Sequence, residues 1–318
     1  TDFAAHEFFH IITPLNIHSE EIQYFDFSHP KMSQHLWLYE GTTEYHAHLV
    51  QEKYKLITPD QFLETISDKM TNAAFGFNDT LPFTELSKGC LDQYKDQYPN
   101  VYLKGALIGM CLDIRLRSLS NGNYGIQNLM RDLSKEYGKQ YAFKDDELFD
   151  KIGTLTYPQI TDFLKQYVAG RLPLPFEETF KMVGVNYAAV ENFKAFTLGR
   201  ISLSVNPSTG LSVVEDISKI NDFGRAVGYR SGDEIVSING TKIFPHNFVQ
   251  FRNTWLATVK EGDPFTVVVN RPKAKGKYKK VTLKTPVFQT SASAYNLLSF
   301  LENPTPAQLS IRNAWLNP

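Results

Sequence analysis

His6, Glu7 and His10 open this chain as His-Glu-Phe-Phe-His. On a helix, residues four apart sit one turn apart on the same face, so both imidazoles can reach one ion. The spacing suits two ligands of a tetrahedral Zn²⁺, and Glu7 between them can serve as base towards a water at the same ion. Phe3, Phe8, Phe9 and Ile12 would equally suit an ordinary amphipathic helix. That alternative accounts for the aromatic residues and leaves the His-Glu-His pattern unexplained.

Two His are half a site, because a catalytic zinc takes a third protein ligand and keeps one position open. A third His on the same run would require Gly at position 13 and His at position 16, where the chain has Thr13 and Asn16. A carboxylate from a following helix is the other solution. The segment Trp37-Leu-Tyr-Glu40-Gly-Thr-Thr-Glu44-Tyr45 offers Glu40 as ligand. Glu44, one turn on, would orient a ligand His from behind. His18, Glu20, Glu21, Asp26, His29 and His35 lie between and compete, although solvated loop carboxylates are the usual fate of such residues. His46 and His48 read as partly exposed helix residues. Peptide-bond cleavage would also need a donor towards the developing oxyanion, for which a Tyr hydroxyl is suitable. With 16 Tyr in the chain, chemistry alone does not choose one.

These residues need a scaffold, and 318 residues suffice for two domains with substantial cores. A net charge of −1 gives no footing for nucleic acid or anionic membrane. No apolar run approaches the length of a membrane span. Cys90 and Cys111 form no C-x-x-C pair and read as small buried hydrophobes.

Residues 1–170 read as mainly helical. Thr58-Pro-Asp-Gln61 is a capping box opening a helix over 62–70. Further helices are expected over 101–119, over 126–137 with Gly138 as a stop, and over 160–169 after Thr156-Tyr-Pro-Gln159. Leu172-Pro-Leu-Pro175 cannot continue a helix, so 171–195 reads as a linker. Residues 196–288 then change to short strands, at 201–205, 211–214, 234–238, 265–270 and 280–284, punctuated by Gly-Asp and Asn-Gly turns. The tail, 289–318, carries a second capping box, Thr305-Pro-Ala-Gln308, and a short helix. The fold class is therefore α+β and multidomain, with a helical lobe followed by a β-rich domain.

Several motifs in order resemble the glycyl aminopeptidase family of gluzincin metallopeptidases. His6-Glu7-x-x-His10 followed by Trp37-Leu-Tyr-Glu40-Gly is similar to the pattern in which the third zinc ligand is a Glu before Gly. Val101-Tyr102-Leu-Lys104-Gly105-Ala106 resembles the Tyr-x-Lys-Gly segment whose Tyr polarises the scissile carbonyl, and Leu112-Asp113-Ile-Arg115-Leu-Arg117 resembles a further stretch of that family. Gly232-Asp-Glu-Ile-Val-Ser-Ile-Asn-Gly240 is similar to a strand and turn of PDZ domains. The resemblance implies a thermolysin-like catalytic lobe joined to a PDZ-like domain, one Zn²⁺ per chain on His6, His10 and Glu40, and Glu7 as general base. Tyr102 would be the oxyanion donor.

It also implies a peptide or protein substrate, with aminopeptidase action on small N-terminal residues such as Gly or Ala. A C-terminal peptide would dock at Leu198, Gly199, Arg200 and Ile201. The alternatives are an endo- or processing peptidase whose PDZ-like domain holds substrate tails, and a peptide-binding chain with an inactive site. Asp113, Arg115 and Arg117 are expected in structural ion pairs. The family's preceding β-rich part has no counterpart here, so the chain is expected to begin part-way through such a protein, periplasmic or exported in a bacterium.

Overall fold

The computed structural model describes residues 2–317. It divides into two compact units, one of residues up to Val190 and from Tyr295 onward, the other of Glu191–Ala294.

The first unit is helical. Helix α1 spans Asp2–Phe9, and a π-helical turn, Trp37–Gly41, leads directly into α2, Thr42–Lys53. Helix α3, Pro59–Gly76, starts where the capping box foretells: Thr58 Oγ1 accepts from Gln61 N at 3.2 Å and Gln61 Oε1 accepts from Thr58 N at 2.8 Å. Helix α4, Asn100–Leu119, is the central one, with fifteen of its residues buried. An apolar core that includes Trp37, Tyr39, Phe62, Phe83, Ile108, Leu112 and Trp315 surrounds it.

Two glycines set the distance between the π turn and α4. A Cβ on Gly41 would lie 2.4 Å from the Gly105 carbonyl carbon, and one on Gly105 would lie 2.8 Å from the Gly41 Cα. The two backbones touch, and any larger residue at either place forces them apart. One turn further along, Gly109 faces Thr42 and Tyr45. Tyr45 donates to Asp113 on α4 at 2.7 Å and accepts from Trp315 Nε1 at 2.7 Å. Asp113 is fully buried and also receives Arg117 Nε at 3.0 Å and Ile126 N at 2.8 Å. Arg115 pairs with Glu178 at 2.9 Å. Asp113, Arg115 and Arg117 are thus occupied in structural ion pairs.

Residues 171–195, expected as a linker, instead contain a helix, Phe176–Met182, and a long strand, Val185–Ala195. The Pro residues end one element without preventing the next, because Pro175 sits immediately before the helix, where its missing N–H costs nothing. The tail differs too. Thr290–Phe300 is a strand rather than a loop, and only Pro306–Leu316 is helical.

The strands are β1 (Val185–Ala195), β2 (Ser202–Val205), β3 (Ser212–Asp216), β4 (Glu234–Ile238), β5 (Thr241–Lys242), β6 (Pro264–Pro272), β7 (Tyr278–Pro286) and β8 (Thr290–Phe300). β1 pairs with β8. The second unit is built on an antiparallel sheet in the order β2-β3-β4-β6-β7, with β5 paired to β4. The helices Asp222–Val227 and α5, Pro245–Thr258, accompany it, and Phe223, Ile235, Trp255, Phe265 and Val267 form its own core. Among the described residues no helix is long and apolar enough to cross a membrane.

Gly105→Ala should lower the unfolding free energy by about 1–3 kcal/mol, the usual range for overpacking. Urea unfolding of the variant checks this, and an unchanged midpoint would mean the contact yields without cost.

Candidate metal centre

Helix α1 lies beside α2. His6 is buried on α1, whereas His10 lies one residue past the helix end, in the turn that continues it. Each ring has its Nδ1 tied to an acceptor. His6 Nδ1 donates to Glu44 Oε2 at 2.9 Å, and His10 Nδ1 donates to the Thr13 carbonyl at 2.9 Å. A ring that donates through Nδ1 presents its lone pair at Nε2. Both Nε2 atoms point at one oxygen, Glu40 Oε2, at 3.2 Å from His6 and 3.5 Å from His10.

The π turn places Glu40. Thr42 N bonds to the Trp37 carbonyl, five residues back, and the hydroxyls of Thr42 and Thr43 take the carbonyls of Leu38 and Tyr39 at 2.6 and 2.5 Å. Hydroxyls bonding four residues back compete with the ordinary helix ladder and loosen it. The turn is held from behind as well. His35 Nε2 donates to the Asp145 carbonyl at 2.7 Å and its Nδ1 accepts from Trp37 Nε1 at 3.1 Å. Tyr39 Oη accepts from Ser19 N at 3.0 Å.

The three donor atoms of His6, His10 and Glu40 all lie within 4.8 Å of one another. An ion bonded tetrahedrally at zinc distances holds its ligand atoms about 3.3 Å apart, so both observed separations suit that geometry. Two lone pairs facing a carboxylate repel it unless a cation intervenes, either a proton on each ring or a single metal ion shared by all three. The electrostatics carry the same demand. The hydrogen bond to Glu40, then that to Glu44, raises the His6 imidazole to about 9 against the effect of burial. His10 is raised too, chiefly by Glu40. Burial pushes the Glu40 carboxyl up, but its hydrogen bonds with His10 and His6 outweigh this and hold it at about 2. The residues therefore fit a zinc ion.

A further layer fixes Glu44. Its Oε1 receives Lys69 Nζ at 2.6 Å and His48 Nε2 at 3.2 Å, and Lys69 is itself buried. Burial raises the Glu44 carboxyl, and His48, His6 and Lys69 together hold it well below the usual range. Lys69 and His48 were not foreseen as parts of this cluster. A lysine on an amphipathic helix ordinarily faces water, and nothing in the spacing shows α3 bringing this one inward.

Glu7 is exposed and makes no hydrogen bond or ion pair among the described residues. Tyr102, on the first turn of α4, has its ring 5.8 Å from that of His6. Its hydroxyl shares a hydrogen bond with Tyr98 at 3.1 Å. Burial above all, then the Tyr98 bond and the charge of Glu40, raise its pKa, so it stays a phenol able to donate. Tyr98 sits one helical turn away and is another participant that the sequence alone did not single out.

The competitors lie elsewhere. His18 is engaged through both nitrogens, with the Pro14 carbonyl at 2.8 Å and Gln23 Oε1 at 2.6 Å. His29 pairs with Asp26 at the surface. His46 and His48, expected to be partly exposed, are both buried. His46 donates through Nδ1 to the Thr42 carbonyl at 2.7 Å and packs on Phe9, since α1 covers that face of α2. Lys104 is buried and spends its donors on the Asp79 and Leu81 carbonyls at 2.5 and 3.5 Å.

Within the second unit, Leu198, Gly199, Arg200 and Ile201 form the loop entering β2, with φ of +113° at Gly199 and +52° at Arg200. Gly199 is packed so close to Gly224 that a Cβ there would lie 2.9 Å from the Gly224 Cα. Leu198, Arg200 and Ile201 line a cavity of about 380 Å³ together with Leu203, Phe248 and Arg252.

Lys69→Met should weaken zinc binding roughly 10–100-fold, as loss of an outer partner does. Competition with a chromophoric chelator measures this, and an affinity equal to that of the parent would show that Glu44 needs no support.

No curated protein matches the chain. Among solved structures, it is similar to an aminopeptidase N family protein from Idiomarina loihiensis, at 21% identity and a TM-score of 0.64, over 100% of this chain and 54% of that one. The chain spans about half the length of that protein, and the likeness is one of fold. The model of the M61 glycyl aminopeptidase family matches residues 1–108. That stretch, about a third of the chain, holds His6, Glu7, His10, Glu40, Glu44, Lys69 and Tyr102, and over it the chain is similar to the M61 glycyl aminopeptidase family.

Proposed function

We propose that the protein is a zinc-dependent peptidase, an aminopeptidase acting on small N-terminal residues such as Gly or Ala. One observation carries this reading: the Nε2 atoms of His6 and His10 converge on a single Glu40 oxygen while both Nδ1 atoms are tied down. A zinc ion held there would supply a Lewis acid for the scissile carbonyl and would make water acidic enough to lose a proton near neutral pH. Glu7 takes that proton as general base and returns it to the leaving amine. Its exposed position on α1, without other partners among the described residues, suits a group that must meet water and substrate. The Tyr102 hydroxyl donates to the carbonyl oxygen as negative charge develops there. Glu44 and Lys69 keep the His6 ring in place. The preference for Gly or Ala rests on the family match alone.

A second reading concerns the other unit, taken as a PDZ-like module that captures a peptide tail. The cavity beside β2 and the loop Leu198–Ile201 favours it. Backbone amides of that loop would receive a terminal carboxylate while β2 receives the peptide as an added strand.

Hydrolysis of glycyl and alanyl anilides tests the first reading. Glu7→Gln should retain zinc and lose about 10²–10⁴ in kcat. Tyr102→Phe should retain zinc and lose about 10²–10³. N-acetylated versions of the same substrates should be refused. Full turnover by Glu7→Gln would remove the general base from the scheme, and cleavage of acetylated substrates would make the enzyme an endopeptidase.

A further inference from the structure

The two edges of the second unit's sheet are unlike. One edge is β7, which carries Lys279, Lys280 and Lys284. Charged side chains of this kind keep other strands from pairing with an edge. The opposite edge, β2, reads Ser202-Leu-Ser-Val205 and has no charge at all, with Val205 53% exposed. An open, uncharged edge is a template for another strand. It borders the groove whose floor and walls include Ile201, Leu203, Phe248 and Leu256.

The charged side chains among the described residues lining that groove have one sign. Arg200 and Arg252 line it, and no Asp or Glu does. Arg252 stands on α5 between Phe248 and Leu256, four residues from each, so the three share one helix face. Its guanidinium has no ion-pair partner among the described residues. It bonds only to the neutral Asn253 Oδ1 at 3.3 and 3.2 Å. A planar fork with spare donors, set in an apolar wall, matches a carboxylate.

We propose that this groove takes an extended peptide bearing an acidic side chain, which Arg252 recognises while β2 pairs with the peptide backbone. This rests on the peptide-capture reading above and adds to it the chemical class of the ligand. The apolar lining would hold the side chains that alternate with the acidic one.

The test uses the full chain and fluorescein-labelled heptapeptides ending in Val with a free carboxylate. A single Glu is moved through the four preceding positions, and each peptide is paired with its Gln counterpart in fluorescence anisotropy. At one position the Glu peptide should bind about fivefold tighter than the Gln peptide, the scale of an exposed ion pair. That preference should shrink as salt is added. It should vanish in Arg252→Gln and persist, weakened, in Arg252→Lys, which keeps the charge and loses the fork. Equal binding of Glu and Gln peptides at every position overturns the acidic preference and leaves peptide capture standing. A preference that survives in Arg252→Gln overturns the role of Arg252. No binding by any peptide overturns peptide capture itself.

Discussion

Two imidazole lone pairs aimed at one carboxylate oxygen are the constraint around which the first unit is arranged. Such a grouping is unfavourable without a positive charge among its members, so the fold must force it. It does so from both sides. The Thr13 carbonyl and Glu44 fix the rings by their far nitrogens, and the π turn fixes the carboxylate. The Gly41–Gly105 contact then holds that turn against α4, the helix that carries Tyr102 three residues earlier. Glu40 and Tyr102, the proposed ligand and oxyanion donor, are thus set on two elements held in contact through one glycine pair.

Support extends outward in layers of different character. Next to His6, His10 and Glu40 it is ionic: Lys69 and His48 close on Glu44. Behind it lies a buried polar network, in which Asp113 accepts from Tyr45, Arg117 and Ile126, and Trp315 ties the C-terminal helix to Tyr45. A buried carboxylate with this many donors is satisfied, and removing Arg117 would leave its charge unpaired in the core. Tyr45 follows Glu44 directly on α2, so this network sets the helix whose next residue inward holds His6.

The parts legible in sequence were those with local causes. The Thr58 and Thr305 capping boxes mark real helix starts, because cap and partner lie three residues apart in the chain. β4 has the limits that its alternation and flanking Gly-Asp and Asn-Gly turns implied. His6, His10 and Glu40 do come together, the first two by helical spacing and the third by a motif. What was not legible depended on distant partners. The π turn under Glu40 needs the hydroxyls of Thr42 and Thr43 turned back on the helix, and the inward Lys69 needs α3 packed beside α2. The strand Val185–Ala195 was hidden in an expected linker because its partner, Thr290–Phe300, lies at the other end of the second unit's sequence. His46 looked like a surface residue because its cover, Phe9, comes from α1.

X-ray absorption at the zinc edge of the purified, zinc-loaded protein tests the proposed ligation by His6, His10 and Glu40. The expected spectrum shows a first shell of nitrogen and oxygen at about 2.0–2.1 Å with the outer scattering of two imidazoles and no sulfur. Glu40→Ala should lose an oxygen from that shell while both imidazoles remain. A shell with one imidazole or none, or a spectrum unchanged by Glu40→Ala, would contradict the assignment of His6, His10 and Glu40 as the metal ligands.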